Sequence, residues 1–206
     1  MMHPRVLSRS AWNLVSDISR AGLLEGWTLG GGTGLALQFG HRLSEDLDFF
    51  QYDPTGLERL PHQLAGIAPL EVLDRASDTL HVRAGGIRLS FLGLEAPLLY
   101  SGTGYRGLVI GDVRDIASLK LVAIGGRGSR KDFIDLFFYL QQTPGLDEIF
   151  AHLEQRDPQI DWNRFHLLKS LTYFEDAEQE PMPQMIRDVD WDQIKRFFRE
   201  LAVDYL

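Results

Sequence analysis

The stretch from Gly31 to Phe50, GGTGLALQFGHRLSEDLDFF, constrains this chain more than any other. A glycine pair ends one apolar run, a short apolar segment follows, and Asp46 and Asp48 then stand among Leu47, Phe49 and Phe50. Strand side chains alternate faces, so carboxylates two residues apart project together. Adjacent carboxylates repel unless a cation lies between them. Hard oxygen ligands suit Mg²⁺, which binds through one or two carboxylates plus substrate phosphates. The turn at Gly31, Gly32 and Thr33 opens a helix, whose free N–H groups and positive dipole end suit phosphate. Each half of the pattern is common alone. In this order they predict nucleotide chemistry.

Composition narrows the class. The chain has 206 residues, 44% hydrophobic and 24% charged, enough for one large domain or a domain with a helical appendage. It has no cysteine, which excludes disulfides and thiolate metal sites. A formal charge of −8 argues against broad, sequence-independent binding to nucleic acid. No apolar run approaches a membrane span, and MMHPRVLSRSAW lacks the apolar centre of a signal peptide, so a cytoplasmic protein is expected.

Periodicity gives the elements. Helices are expected over 6–24, 33–39 (capped by Thr33), 55–65, 112–124 (stopped by Gly125 and Gly126) and 129–141. Strands are expected over 27–30, within 43–51, and over 71–75, 79–84, 87–92 and 108–110, with a hairpin turn at Gly85-Gly86. From Leu146 the chain reads as several helical pieces, broken near 179–183. Strands before residue 112 and helices after it indicate an α+β fold. We divide the chain into an α/β part, 1–145, and a helical C-terminal part, 146–206.

The helix after Ser129 carries Lys131 and Asp135 as an i, i+4 pair, with Asp132 and Asp135 on one side. Phe133, Ile134, Leu136, Phe137 and Phe138 make it too apolar for a plain solvated ladder. Lys120 is expected to contact a triphosphate as a point charge, and Arg127 or Lys131 to add a second contact. Asp132 or Asp135 would orient these cations or act as a base. Gly32 is expected to need its missing side chain for phosphate approach and turn dihedrals. His3, His62, His81, His152 and His166 are scattered without metal-ligand spacing, and His41 would touch phosphate or brace its loop.

Gly40-His41-Arg42, Ser44, Asp46, Asp48-Phe49-Phe50 and, downstream, Lys120, Arg127 and Lys131-Asp132…Asp135 together resemble the AbiEii/AbiGii branch of the polymerase-beta-like nucleotidyltransferases. These are toxins of type IV toxin–antitoxin systems. The likeness runs from about residue 25 to residue 142. It implies a small mixed sheet flanked by helices, and transfer of a nucleoside monophosphate from an NTP to RNA, protein or a small molecule. It also implies Mg²⁺ or Mn²⁺ on Asp46 and Asp48, a cognate antitoxin, and no membrane. Lys120 and Asp132 would complete the catalytic set. Gly31, Gly32, Thr33, Arg42, Arg127, Lys131 and Asp135 would hold the nucleotide. The family pattern also implies a third carboxylate on a neighbouring strand, where this chain has Ser90. Serine is not an easy base at neutral pH. Three readings follow: a nucleotidyltransferase, a binding protein on the same fold without transfer, and a metal-dependent glycosyltransferase of unrelated fold.

Overall fold

The computed structural model describes residues 1–143 and 145–205. A 3-10 turn at Pro4–Val6 leads into α1 (Arg9–Arg20), capped by the Ser8 hydroxyl. Then come β1 (Thr28–Leu29), α2 (Gly31–Phe39), β2 (Leu47–Tyr52) and α3 (Leu60–Ala65). Next are β3 (Leu70–Arg75), β4 (Thr79–Ala84), β5 (Ile87–Leu94), β6 (Thr103–Tyr105) and β7 (Leu108–Ile110). The helices α4 (Val113–Arg127), α5 (Arg130–Leu140), α6 (Leu146–Arg156), α7 (Arg164–Ser170), α8 (Glu175–Glu178) and α9 (Trp191–Val203) complete the described chain.

The strands form one mixed sheet in the order β3-β4-β5-β2-β1-β7-β6. The β2/β5 and β1/β7 pairs are parallel and the others antiparallel. Alternation decides what each face carries. Leu47 and Phe49 of β2, Leu80 and Val82 of β4, and Leu89 and Phe91 of β5 enter one core with α1 and α3. Phe49 stacks on Phe91, its register partner, and Trp27 meets Phe91 edge-on. The intervening residues, Asp48 and Phe50, Arg88, Ser90 and Leu92, and His81, turn to the opposite face and line a cleft against α4. The fold class is thus as expected, with the sheet sorting its residues by parity.

A second core joins α4 and α5 to the C-terminal helices, through Leu121, Phe133, Ile149, Leu168 and Phe198 among others. The C-terminal part also reaches the glycine–aspartate segment directly. Leu43 N–H donates to Gln184 O, Ile186 and Arg187 N–H both donate to His41 O, and Arg42 bridges Met185.

Three local expectations need correction. Helix α4 does not stop at Gly125 and Gly126 but runs through them to Arg127. Gly125 is small because α7 crosses there: a Cβ would meet the Leu167 side chain, and His166 Nε2 lies 2.9 Å from Gly125 O. Thr33 is not a cap, since α2 begins at Gly31 behind Gly30 with no side-chain cap. The third helix begins only at Leu60. The Gly85-Gly86 turn does close a hairpin, both glycines having positive φ, 55° and 83°.

Candidate active site

The site lies where α2 starts behind β1. Gly31 has φ +55°, and any Cβ there would collide with the Asp48 carboxylate, so this glycine lets Asp48 sit against the positive end of α2. Asp48 is on β2, whereas Asp46 lies just ahead of the strand. Thr33 fixes that approach. Its hydroxyl donates to Asp46 O and lies 2.7 Å from Ser44 Oγ, tying the 44–46 segment to the first turn of α2. Asp46 and Asp48 both face the cleft, and neither carboxylate has a hydrogen-bond or ion-pair partner among the described residues. The first intrahelical donor of α2 is Gly34 N–H, to Gly30 O, which leaves the N–H groups ahead of it for a ligand.

Beneath this lies a buried ionic cluster. Asp135 is fully buried and contacts Arg42 Nε at 2.7 Å, Arg42 Nη2 at 2.9 Å, His41 Nε2 at 2.9 Å and Lys120 Nζ at 2.9 Å. Burial would raise the Asp135 pKa, but Arg42, Lys120 and the His41 hydrogen bond override it and hold the carboxyl well below its ordinary range. Burial would likewise discharge Lys120. Asp135 and Asp132 outweigh it, so the ammonium persists above ordinary lysine. Lys120 donates to Asp132 at 2.6 Å, and Asp132 is itself held by the Ser129 hydroxyl at 2.8 Å. Burial lowers the pKa of His41 despite its bond to Asp135, so the ring is neutral near pH 7. Two cations and two carboxylates balance. The third N–H of Lys120 remains for the cleft it lines.

This arrangement reassigns several residues. Gly32 has no positive φ, and a Cβ there would run into the Arg42 guanidinium with Asp135 Oδ2 behind it. Its smallness therefore serves the buried pair first. Lys131 is exposed and forms no ion pair with Asp135. Asp135 lines neither opening of the site. Arg42 and His41 brace the 41–46 segment against α5.

Two adjoining spaces share Asp46, Asp48, Lys120, Arg127 and Asp132. A polar bay of about 130 Å³ adds Gly32, Thr33, Ser44 and Lys131. A wider cleft of about 450 Å³ adds Phe50, Leu92, Ile116, Leu119, Val122 and Ala123, with His81, Arg88 and Ser90 at one side. Because α4 continues through its glycines, Lys120 and Arg127 fall on one face, two turns apart, and both reach the site. Arg88, Arg127 and Lys131 are exposed and form no ion pair among the described residues. The bay offers N–H groups and cations for phosphates, and the wider cleft offers an apolar wall for a base. Arg88 also belongs to this environment, as do His81 and Ser129, which carry no sequence signal that marks them as site residues. The hairpin register alone places His81 opposite Ser90.

The sequence profile described as nucleotidyl transferase AbiEii toxin, type IV TA system, matches residues 13–96, which include the glycine turn, both aspartates and Ser90. Uncharacterized protein aq_aa25 of Aquifex aeolicus (strain VF5) is 32% identical over 209 residues, covering 98% of each chain. The chain belongs to the AbiEii nucleotidyltransferase toxin family. JHP933 from Helicobacter pylori superposes with a TM-score of 0.51 at 20% identity, over 96% of this chain and 90% of that one. The antibiotic-resistance factor ANT(2″)-Ia gives a TM-score of 0.51 at 15% identity, over 72% of this chain and 92% of that one. These structures share the fold of this AbiEii member. No helix among its described residues is long and apolar enough to cross a membrane.

Proposed function

We propose that this AbiEii protein transfers a nucleoside monophosphate from an NTP to a hydroxyl of RNA, protein or a small molecule, using Mg²⁺ or Mn²⁺, and that a cognate antitoxin opposes it. The observation that carries the reading is the unpartnered pair Asp46 and Asp48, set between a cationic bay and an apolar cleft. Two free carboxylates at the rim of a phosphate-sized bay fit a hard divalent cation that completes its shell with phosphate oxygens. Such a cation supplies charge neutralisation on the phosphates and lowers the barrier to displacement at phosphorus.

The chain's own residues do the rest. The N–H groups at the start of α2, with Arg127, Lys131 and the free proton of Lys120, hold the triphosphate and take up charge on the departing pyrophosphate. Phe50, Leu92, Val122 and Ala123 exclude water around the base. Asp132 and Asp135 act as positioning groups, fixing Lys120 and Arg42 rather than touching substrate.

Binding of Mn²⁺, followed by its paramagnetic signal with and without a non-hydrolysable triphosphate, tests the assignment. Asp48→Ala should lose the triphosphate-dependent Mn²⁺ site, and equal Mn²⁺ affinity in wild type and variant would rule it out. Ser90, neutral and in register with Asp48, favours a second reading, nucleotide binding without transfer. Pyrophosphate release by the wild type separates the two.

A further inference from the structure

Nucleotidyl transfer requires that the acceptor hydroxyl lose its proton. Among the described residues lining the cleft, only Asp46, Asp48, Asp132 and His81 have a side chain suited to accept it at neutral pH. Asp132 is engaged by Lys120 at 2.6 Å and by Ser129 at 2.8 Å. Asp46 and Asp48 are committed to the cation in the reading above. His81 is the remaining group, and the sheet places it well. Asp48 on β2 is in register with Ser90 on β5, and Ser90 is in register with His81 on β4, so the three stand in one row on the cleft face. Neighbouring strands are about 4.8 Å apart, which puts the His81 backbone roughly 10 Å from that of Asp48, with room between for an attacking hydroxyl.

We infer that His81 is the base that takes the acceptor proton, and that Ser90 orients it. The inference rests on the nucleotidyl-transfer reading. His81 Nδ1 lies 3.0 Å from Ser90 Oγ, and Ser90 is almost fully buried. With Nδ1–H donating to that hydroxyl oxygen, the Nε2 lone pair is left for the cleft, and Nε2 has no partner among the described residues. The acceptor oxygen attacks the α-phosphorus and forms the new P–O bond, while its proton passes to His81 Nε2. The bond from the α-phosphorus to the bridging oxygen breaks, and pyrophosphate leaves with that electron pair. The imidazolium then returns its proton to water. A neutral serine at the sheet position nearest Asp48 is thus compatible with catalysis, because the base stands one strand further out.

The experiment follows pyrophosphate release and α-phosphate label transfer from each of the four NTPs, with Mg²⁺ and with total bacterial RNA, bacterial protein, a small-molecule extract or water as acceptor. Wild type, His81→Ala and His81→Gln are compared, and affinity for a non-hydrolysable triphosphate is measured in parallel. His81→Ala and His81→Gln should lose about 10²- to 10⁴-fold in rate with triphosphate affinity unchanged, and added imidazole should restore part of the loss to His81→Ala. Rates within a fewfold of wild type, a matching loss of triphosphate affinity, or a lost rate that imidazole leaves untouched would each overturn the assignment while leaving nucleotidyl transfer standing. A wild type that binds no triphosphate, or binds it and releases no pyrophosphate with bacterial RNA, bacterial protein or a small-molecule extract as acceptor, overturns the transfer reading and the base with it.

Discussion

Replacing Asp135 by Asn should destabilise the fold more than any single exposed charge change. The carboxylate is fully buried and lies within 2.9 Å of His41, Lys120 and two nitrogens of Arg42. Asn keeps the shape but removes the charge, and its NH₂ group faces donors it cannot accept from. Arg42 is equally buried, and Lys120 would retain only Asp132. Removing one partner of a buried ion pair costs about 3–5 kcal/mol, because the other charge stays desolvated. Adding the separate hydrogen bonds would give a larger figure, but the whole fold is worth only about 5–15 kcal/mol. With a urea slope of roughly 1–3 kcal/mol/M, the midpoint should fall by about 1–5 M. Urea unfolding followed by tryptophan fluorescence measures this. Glu154→Gln, which breaks the half-exposed Arg164–Glu154 pair, is the control and should cost under about 1 kcal/mol. If Asp135→Asn costs no more than Glu154→Gln, the cluster does not hold the 41–46 segment in place and its role here is wrong.

The same cluster sets a pH dependence. Asp135 has a folded pKa well below 3.8, so its contribution is complete above the unfolded value and is lost as pH falls below about 4. His41 has a folded pKa below 6.5, so the unfolded chain binds the extra proton and stability already declines below about pH 6.5. Thermal unfolding between pH 8 and pH 4 should therefore show a falling midpoint, and His41→Gln should remove the upper part of the decline; a midpoint flat from pH 7 to 5 would contradict it. Gly32→Ala drives a methyl group into the Arg42 guanidinium and should cost about 1–3 kcal/mol, read as a lower melting temperature. Gly31→Ala combines a left-handed backbone with a clash at Asp48, and should weaken triphosphate-dependent Mn²⁺ binding while Gly32→Ala mainly weakens the fold. Identical behaviour of the two variants in both assays would show that the division of labour between these glycines is wrong.

Much of this architecture was legible because its signals are local. Period-two alternation in β2, β4 and β5 marks both which face is core and which is cleft, and Gly85-Gly86 fixes the register between β4 and β5. Asp46, Asp48, Lys120, Arg127 and Asp132, drawn together in the sequence by the family resemblance, line one opening, and Arg127 reaches it because α4 runs through the glycines expected to stop it. Signals that depend on a distant partner were misread. Gly125 looks like a helix stop until Leu167 is seen against it, and Thr33 looks like a cap until the 44–46 segment folds onto it. Lys131 and Asp135 are correctly spaced for a surface pair, but Asp135 is turned inward by Arg42, far away in sequence. His81 fits no ligand spacing, because its significance comes from strand register. Residues 184–187 carry no periodic pattern, yet their backbone binds residues 41–43.

The central claim, transfer from a triphosphate bound at Asp46 and Asp48, is tested most directly by incubating wild type, Asp46→Asn and Asp48→Asn with α-phosphate-labelled NTPs, Mg²⁺ and total bacterial RNA or protein. The account predicts label in a macromolecular acceptor with the wild type, loss on omission of the metal, and at least a hundredfold loss in each variant whose fold is intact, as expected for removing a cation that neutralises the reacting phosphates. Undiminished transfer by either variant, or by wild type without divalent metal, would contradict it.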